Sequence, residues 1–143
     1  MDRRIIARSI ALGFAAMAAV AVLAFLWVLI YALLIAPGHP GSFYQAYAAR
    51  VSPISGLVAG LPILFLAGYL ASRWSGGLWL VAAAAPALVY VALDALLLAL
   101  FMPGGFRGWP LLVLSWLSKA GAAIAGGWLA RRRARPPGSG AAA

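Results

Sequence analysis

Cysteine, glutamate, asparagine and threonine are all missing from this 143-residue chain, and lysine, glutamine and histidine occur once each. Without cysteine there can be no disulfide, thiolate metal site or thiol chemistry. Asp2 and Asp94 are the only carboxylate side chains. The chain holds no carboxylate pair for acid–base work, no Ser/His/Asp set, no metal-ligand cluster and no Gly-rich phosphate loop. The single histidine, His39, sits between Gly38 and Pro40 with no acidic neighbour, a poor metal site and a good solvated loop residue. We therefore expect a non-catalytic protein without cofactor or metal.

What is present is apolar. Hydrophobic residues make up 66% of the chain and charged ones 9%, against about 45–50% and about 25% in soluble domains. Four apolar stretches carry this excess, roughly residues 11–36, 54–72, 77–102 and 109–130. A helix needs about 20 residues to cross a hydrocarbon layer about 30 Å thick, and all four stretches meet or approach that length. Each is bounded by a stop: Pro37-Gly38, Ser52-Pro53, Ser75-Gly76-Gly77, Pro103-Gly104-Gly105 and the run from Arg131. The fold class this implies is an all-α, four-transmembrane-helix bundle. It occupies residues 1–130 as one domain, with a basic and then disordered tail at 131–143. The first stretch is too long for a signal peptide, whose apolar region spans about 7–15 residues.

Arginine sets the expected orientation. In a four-helix arrangement Arg3, Arg4, Arg8, Arg73, Arg131, Arg132, Arg133 and Arg135 fall on one side and Arg50 and Arg107 on the other. The positive-inside rule then puts both termini in the cytoplasm. Trp74, Trp79 and Trp128 fall near the inner ends, and Phe106 and Trp109 near the outer ends, as aromatic belts require. Arg131, Arg132, Arg133 and Arg135 are read as lipid-headgroup contacts. Scarce lysine beside abundant Ala, Gly and Arg suggests a GC-rich bacterial source and hence an inner-membrane location. The basic charge follows from these anchors, so nucleic acid is not an expected partner.

Two ionisable residues fall within the apolar stretches, Asp94 and Lys119. Each costs about 2.5–3.5 kcal/mol at a helix centre on insertion scales, so their presence calls for an explanation. They are nearly equidistant from the Pro103–Gly108 turn, and a tight hairpin of the third and fourth helices brings them to one depth. The expectation is a buried Asp94–Lys119 ion pair bracketed by Tyr90, Ser115 and Ser118, with Ala87 meeting Gly126 so that the helices approach closely. A structural latch is favoured over an ion- or proton-coupled site.

Other features are packing signals. Gly56 and Gly60 form a GxxxG pattern, read first as packing within the bundle. Ala11, Ala15, Ala18 and Ala19 suggest close packing by the inner half of the first helix, with a bulkier outer half facing lipid or a partner. Ser42 and Gln45 have the spacing of a capping box, which predicts a short interfacial helix over 43–51. Pro62 and Pro86 lie inside helices and are assigned no function. The expected partners are the lipid bilayer and either another membrane protein or further copies of this chain. Two functions compete: an accessory or assembly subunit working through lateral helix contacts, and a small oligomeric transporter or channel using Asp94.

Overall fold

Each apolar stretch forms a helix in the computed structural model, which describes residues 3–101 and 109–134. Helix α1 covers Arg3–Ile30 and runs on into a π-helical turn, Tyr31–Ile35. Helix α2 covers Gly41–Arg73, α3 Trp79–Phe101 and α4 Trp109–Ala134, with a 3₁₀ turn at Gly76–Leu78 before α3. No strand occurs among the described residues. Four helical spans are long and apolar enough to cross a membrane: Arg3–Ile35, Ile54–Arg73, Trp79–Leu100 and Trp109–Ala134. The Pro103–Gly108 turn, with Phe106 and Arg107, and the tail from Arg135 lie outside the described residues.

Two boundaries differ from expectation. Helix α1 begins at Arg3, well before Ala11, because its arginines are good helix formers and nothing before Pro37 interrupts the chain. Helix α2 is continuous from Gly41 through Pro53, so the short helix over 43–51 is its first part and not a separate element. Pro53 forgoes a hydrogen bond to the carbonyl of Ala49, an exposed residue, so the helix tolerates the loss. The capping box does not form either. The N-cap is Pro40 in an extended conformation, with no side-chain cap. Tyr44 organises the turn instead: its hydroxyl donates to the Ala36 carbonyl at 2.6 Å and accepts from the His39 N–H at 3.1 Å. Gly38 supplies the positive φ of 83° that reverses the chain.

The four helices pack as a rhombus. Helices α2 and α3 share the centre, while α1 and α4 lie on opposite sides of them. The main neighbour of α4 is α2, not α3 as the tight-hairpin expectation had it. Glycines decide this. A Cβ added at Gly68 would collide with the Ala123 backbone, and one at Gly126 with the Phe65 carbonyl. Backbone thus meets backbone along α2 and α4, the close approach that small residues permit. Gly126 therefore does not face Ala87. Ala87 is buried in a core cluster with Ala16, Val20, Leu64, Tyr90 and Ala123. The Gly56–Gly60 pattern also divides: Gly60 packs against Lys119, whereas nothing lies within 4 Å of a Cβ at Gly56.

On α1 the buried stripe is Ser9, Gly13, Ala16 and Val20. Ala11, Ala15 and Ala18 are exposed, one step around from the expected face. In so alanine-rich a helix several stripes are equally small, and the glycine breaks the tie. A Cβ at Gly13 would meet Val89 Cβ at 2.6 Å and the Pro86 carbonyl at 3.0 Å, so α1 rides directly on α3 there.

These contacts align the helices. Gly13 is level with Pro86–Val89, and Gly60 with Lys119. Counting outward at 1.5 Å per residue brings Trp27, Arg50, Phe101 and Trp109 to about one level. Beyond it α1 continues to Ile35 and α2 starts at Gly41, so this helix pair projects roughly 12 Å past the described ends of α3 and α4. At the opposite end lie Arg3, Arg4, Arg8, Arg73 and Arg131–Arg133. Three of them stack on tryptophans: Arg8 on Trp74 at 5.6 Å, Arg131 on Trp79 at 5.4 Å and Arg132 on Trp128 at 3.8 Å.

Candidate functional site

Polar side chains inside the bundle gather between α3 and α4. Tyr90 and Asp94 are one turn apart on α3, and Trp116 and Lys119 one turn apart on α4. The helices run in opposite directions, so these residues pair as two rungs. On the rung nearer the arginine end, the Lys119 ammonium donates to the Tyr90 hydroxyl at 3.1 Å and lies 4.5 Å from the centre of its ring. On the other, the Trp116 indole N–H donates to Asp94 Oδ2 at 2.7 Å. The rungs are about 5 Å apart along the axis.

Lys119 is 3% exposed and Tyr90 2%. The lysine's aliphatic stem lies in the space left by Gly60: an added Cβ there would sit 2.5 Å from Cε and 3.3 Å from Cδ. Lys119 thus reaches the junction of α2, α3 and α4. Asp94 is only partly buried.

The structure brings Tyr90 and Lys119 together but does not form the expected direct Asp94–Lys119 ion pair; no oxygen–nitrogen contact within 4.0 Å joins them. Equal depth was the premise, and the α4 register removes it by placing Lys119 opposite Tyr90 and Trp116 opposite Asp94. The opposite charges still act on each other across the gap. Nor do the serines bracket the pair. Ser118 donates to the Ser115 carbonyl of its own helix at 3.0 Å, the local bond available to a serine inside a helix.

Trp116 is the residue the sequence reading missed. Its signal was available: it lies three residues before Lys119, on the face that continues to Ala123, and a buried indole N–H needs an acceptor. Asp94 is the one ionisable acceptor at that depth.

Chemically the ladder holds two opposite charges, each leaning on an uncharged aromatic partner. Lys119 commits one of its three donors to Tyr90. No group of three or more metal-ligating side chains occurs among the described residues. Arg131, Arg132 and Arg133 form the exposed last turn of α4, and Arg135 lies outside the described residues. No protein-family model, curated protein or solved structure matches this chain.

Proposed function

We propose that this protein is a small, non-catalytic, multi-pass inner-membrane protein, with both termini cytoplasmic, that acts as an accessory or assembly subunit through lateral helix contacts. One observation carries the reading: the far half of α1 is apolar, bulky and uncovered. Val22, Leu26, Leu29 and Leu33 form a ridge at helical spacing, each of them exposed. The helix then runs past the level of Trp27 and Trp109, where Leu33, Leu34 and Ile35 are 64%, 77% and 59% exposed. Apolar side chains that stand beyond a tryptophan belt gain from a covering partner. The arginine distribution supports the orientation, with seven described arginines at the end holding the termini and Arg50 at the other.

The test is native mass spectrometry of the protein extracted from its own membrane in mild detergent, beside a Leu26→Ser, Leu33→Ser variant. The reading expects a stoichiometric foreign subunit with the unaltered chain, lost in the variant at unchanged melting temperature. A clean homo-oligomer would overturn it. It would favour the second reading, an oligomeric ion- or proton-coupled transporter, to which the partly exposed and unpaired Asp94 carboxylate lends support. Flux assays on Asp94→Asn would then follow.

A further inference from the structure

The buried stripe of α1 does not end at Val20. Its spacing continues through Ala24 and Trp27 to Tyr31, and these face Tyr47, Val51, Ser55 and Ala59 on α2. Here the helices part. A gap of about 380 Å³ opens on one side of the seam and another of about 250 Å³ on the other. Ala24, Trp27, Val51 and Ser55 line both, so the two are one slot passing between the helices. Small side chains at Ala24, Ala48 and Ala59 leave it unfilled.

The slot has a roof. Tyr31 and Tyr47 stack at 3.6 Å with their planes 7° apart, and the Trp27 indole N–H donates to the Tyr47 hydroxyl at 3.2 Å. This clamp holds the helices at a fixed spacing above the gap, so the slot is built and not a fluctuation of loose packing.

Size, lining and charge together define an occupant. From Tyr47 to Ala59 the slot runs about 18 Å along α2, close to the depth of one leaflet of a hydrocarbon core about 30 Å thick. Its walls are almost wholly apolar. Arg50 flanks it, three residues from Tyr47 and four from Ile54 on the same helix face, and is exposed at the level of Trp27 and Trp109. Asp94, the one carboxylate among the described residues, is on α3 and bound by Trp116. We propose that the slot is a binding site for one phospholipid with an anionic headgroup, one acyl chain lying between α1 and α2 and the phosphate at Arg50. A chain seated there restores the contacts the two helices do not make with each other. The proposal is independent of any protein partner and concerns the seam of α1, not its outer ridge.

Trp27 reports on the slot. The full-length protein is reconstituted in phosphatidylcholine vesicles containing increasing fractions of phosphatidylglycerol with brominated chains. Tryptophan fluorescence is read, and the Trp27 share is taken as the difference from a Trp27→Phe variant. A bound lipid gives Trp27 quenching that saturates, at a mole fraction about five-fold lower than for brominated phosphatidylcholine, the preference one arginine confers near an anionic headgroup. Arg50→Gln removes that preference and keeps saturable quenching by both lipids. Ala59→Leu, which fills the slot, makes quenching proportional to mole fraction. Proportional quenching in the unaltered protein would overturn the proposal, leaving ordinary surrounding lipid only, and this result needs no variant to fold. Absence of Trp27 quenching together with cross-linked dimers would also overturn it, in favour of a second copy of the chain in the slot. Neither result bears on whether a foreign subunit co-purifies through the ridge.

Discussion

The contact between α2 and α4 and the contact between α1 and α2 beyond Val20 use one helix in opposite ways. Against α4, residues 60–72 of α2 present Gly60, Leu64, Ala67, Gly68 and Ser72, all buried, and the backbones touch. Against α1, residues 47–59 present Tyr47, Val51, Ser55 and Ala59 and leave a slot. Two aromatic contacts hold that second region at arm's length. The first region is stabilised by shape and tolerates nothing added. The second is held open by a clamp and has room. In an apolar surrounding no hydrophobic force draws helices together, so tight packing exists only where small residues permit it.

Adding bulk tests the contrast most severely. Gly126→Val drives a side chain into the Phe65 carbonyl and should cost about 3 kcal/mol, because the obstacle is backbone and cannot turn aside. Gly56→Val, facing open space, should cost less than about 1 kcal/mol. Reversible unfolding in mixed micelles measures both, and equal losses would dissolve the distinction between the two regions. Next comes the lysine that bridges three helices. Lys119→Ala empties the space beside Gly60 and should cost about 2–4 kcal/mol. Lys119→Met keeps the stem and should cost under about 1.5 kcal/mol.

Smaller effects separate the rungs of the ladder. Double-mutant cycles should give couplings of about 1.5 kcal/mol for Tyr90 with Lys119 and for Asp94 with Trp116, the range for hydrogen bonds to charged groups. Asp94 with Lys119 should couple by less than about 1 kcal/mol. The reverse ranking would restore the direct ion pair. Smallest of all, Leu33→Ser with Leu34→Ser on the projecting pair should move stability within about 0.5 kcal/mol, since neither side chain is covered.

Hydropathy and helix length made the four helices legible, and residues with strong local chemistry made some of the packing legible. Ala83, Ala87 and Tyr90 are buried on the expected face of α3 because a polar pair had marked that face. The orientation of α1 was not legible, since Ala11, Ala15 and Ala18 are as small as the residues that pack. The partner of α4 was obscured for a related reason. Depth symmetry about a turn states which levels meet but not which helix lies alongside, and Gly68 and Gly127 were the residues that decided it. The ladder was half read: the charges were visible and their neutral partners were inferred from depth alone. A register difference of one turn exchanged Asp94 for Tyr90 opposite Lys119. Pro53 misled in the other direction, because a proline signals a helix end more strongly than a 33-residue helix obeys it.

The unequal lengths of the helices carry a last consequence. One side of the molecule presents a continuous apolar span of 33 residues, Arg3–Ile35, and the other spans of 22 and 26. A bilayer matched to the shorter side leaves the longer one standing out, and a bilayer matched to the longer side overshoots the shorter. Tilting cannot satisfy both, because the helices are packed together. Lipid next to α1 is therefore stretched relative to lipid next to α3 and α4, at a fraction of a kcal/mol per Å of mismatch. That gradient in thickness gives the protein a preferred neighbour before any side chain touches: another long helix, placed beside α1, relaxes the stretched lipid that both would otherwise have to support.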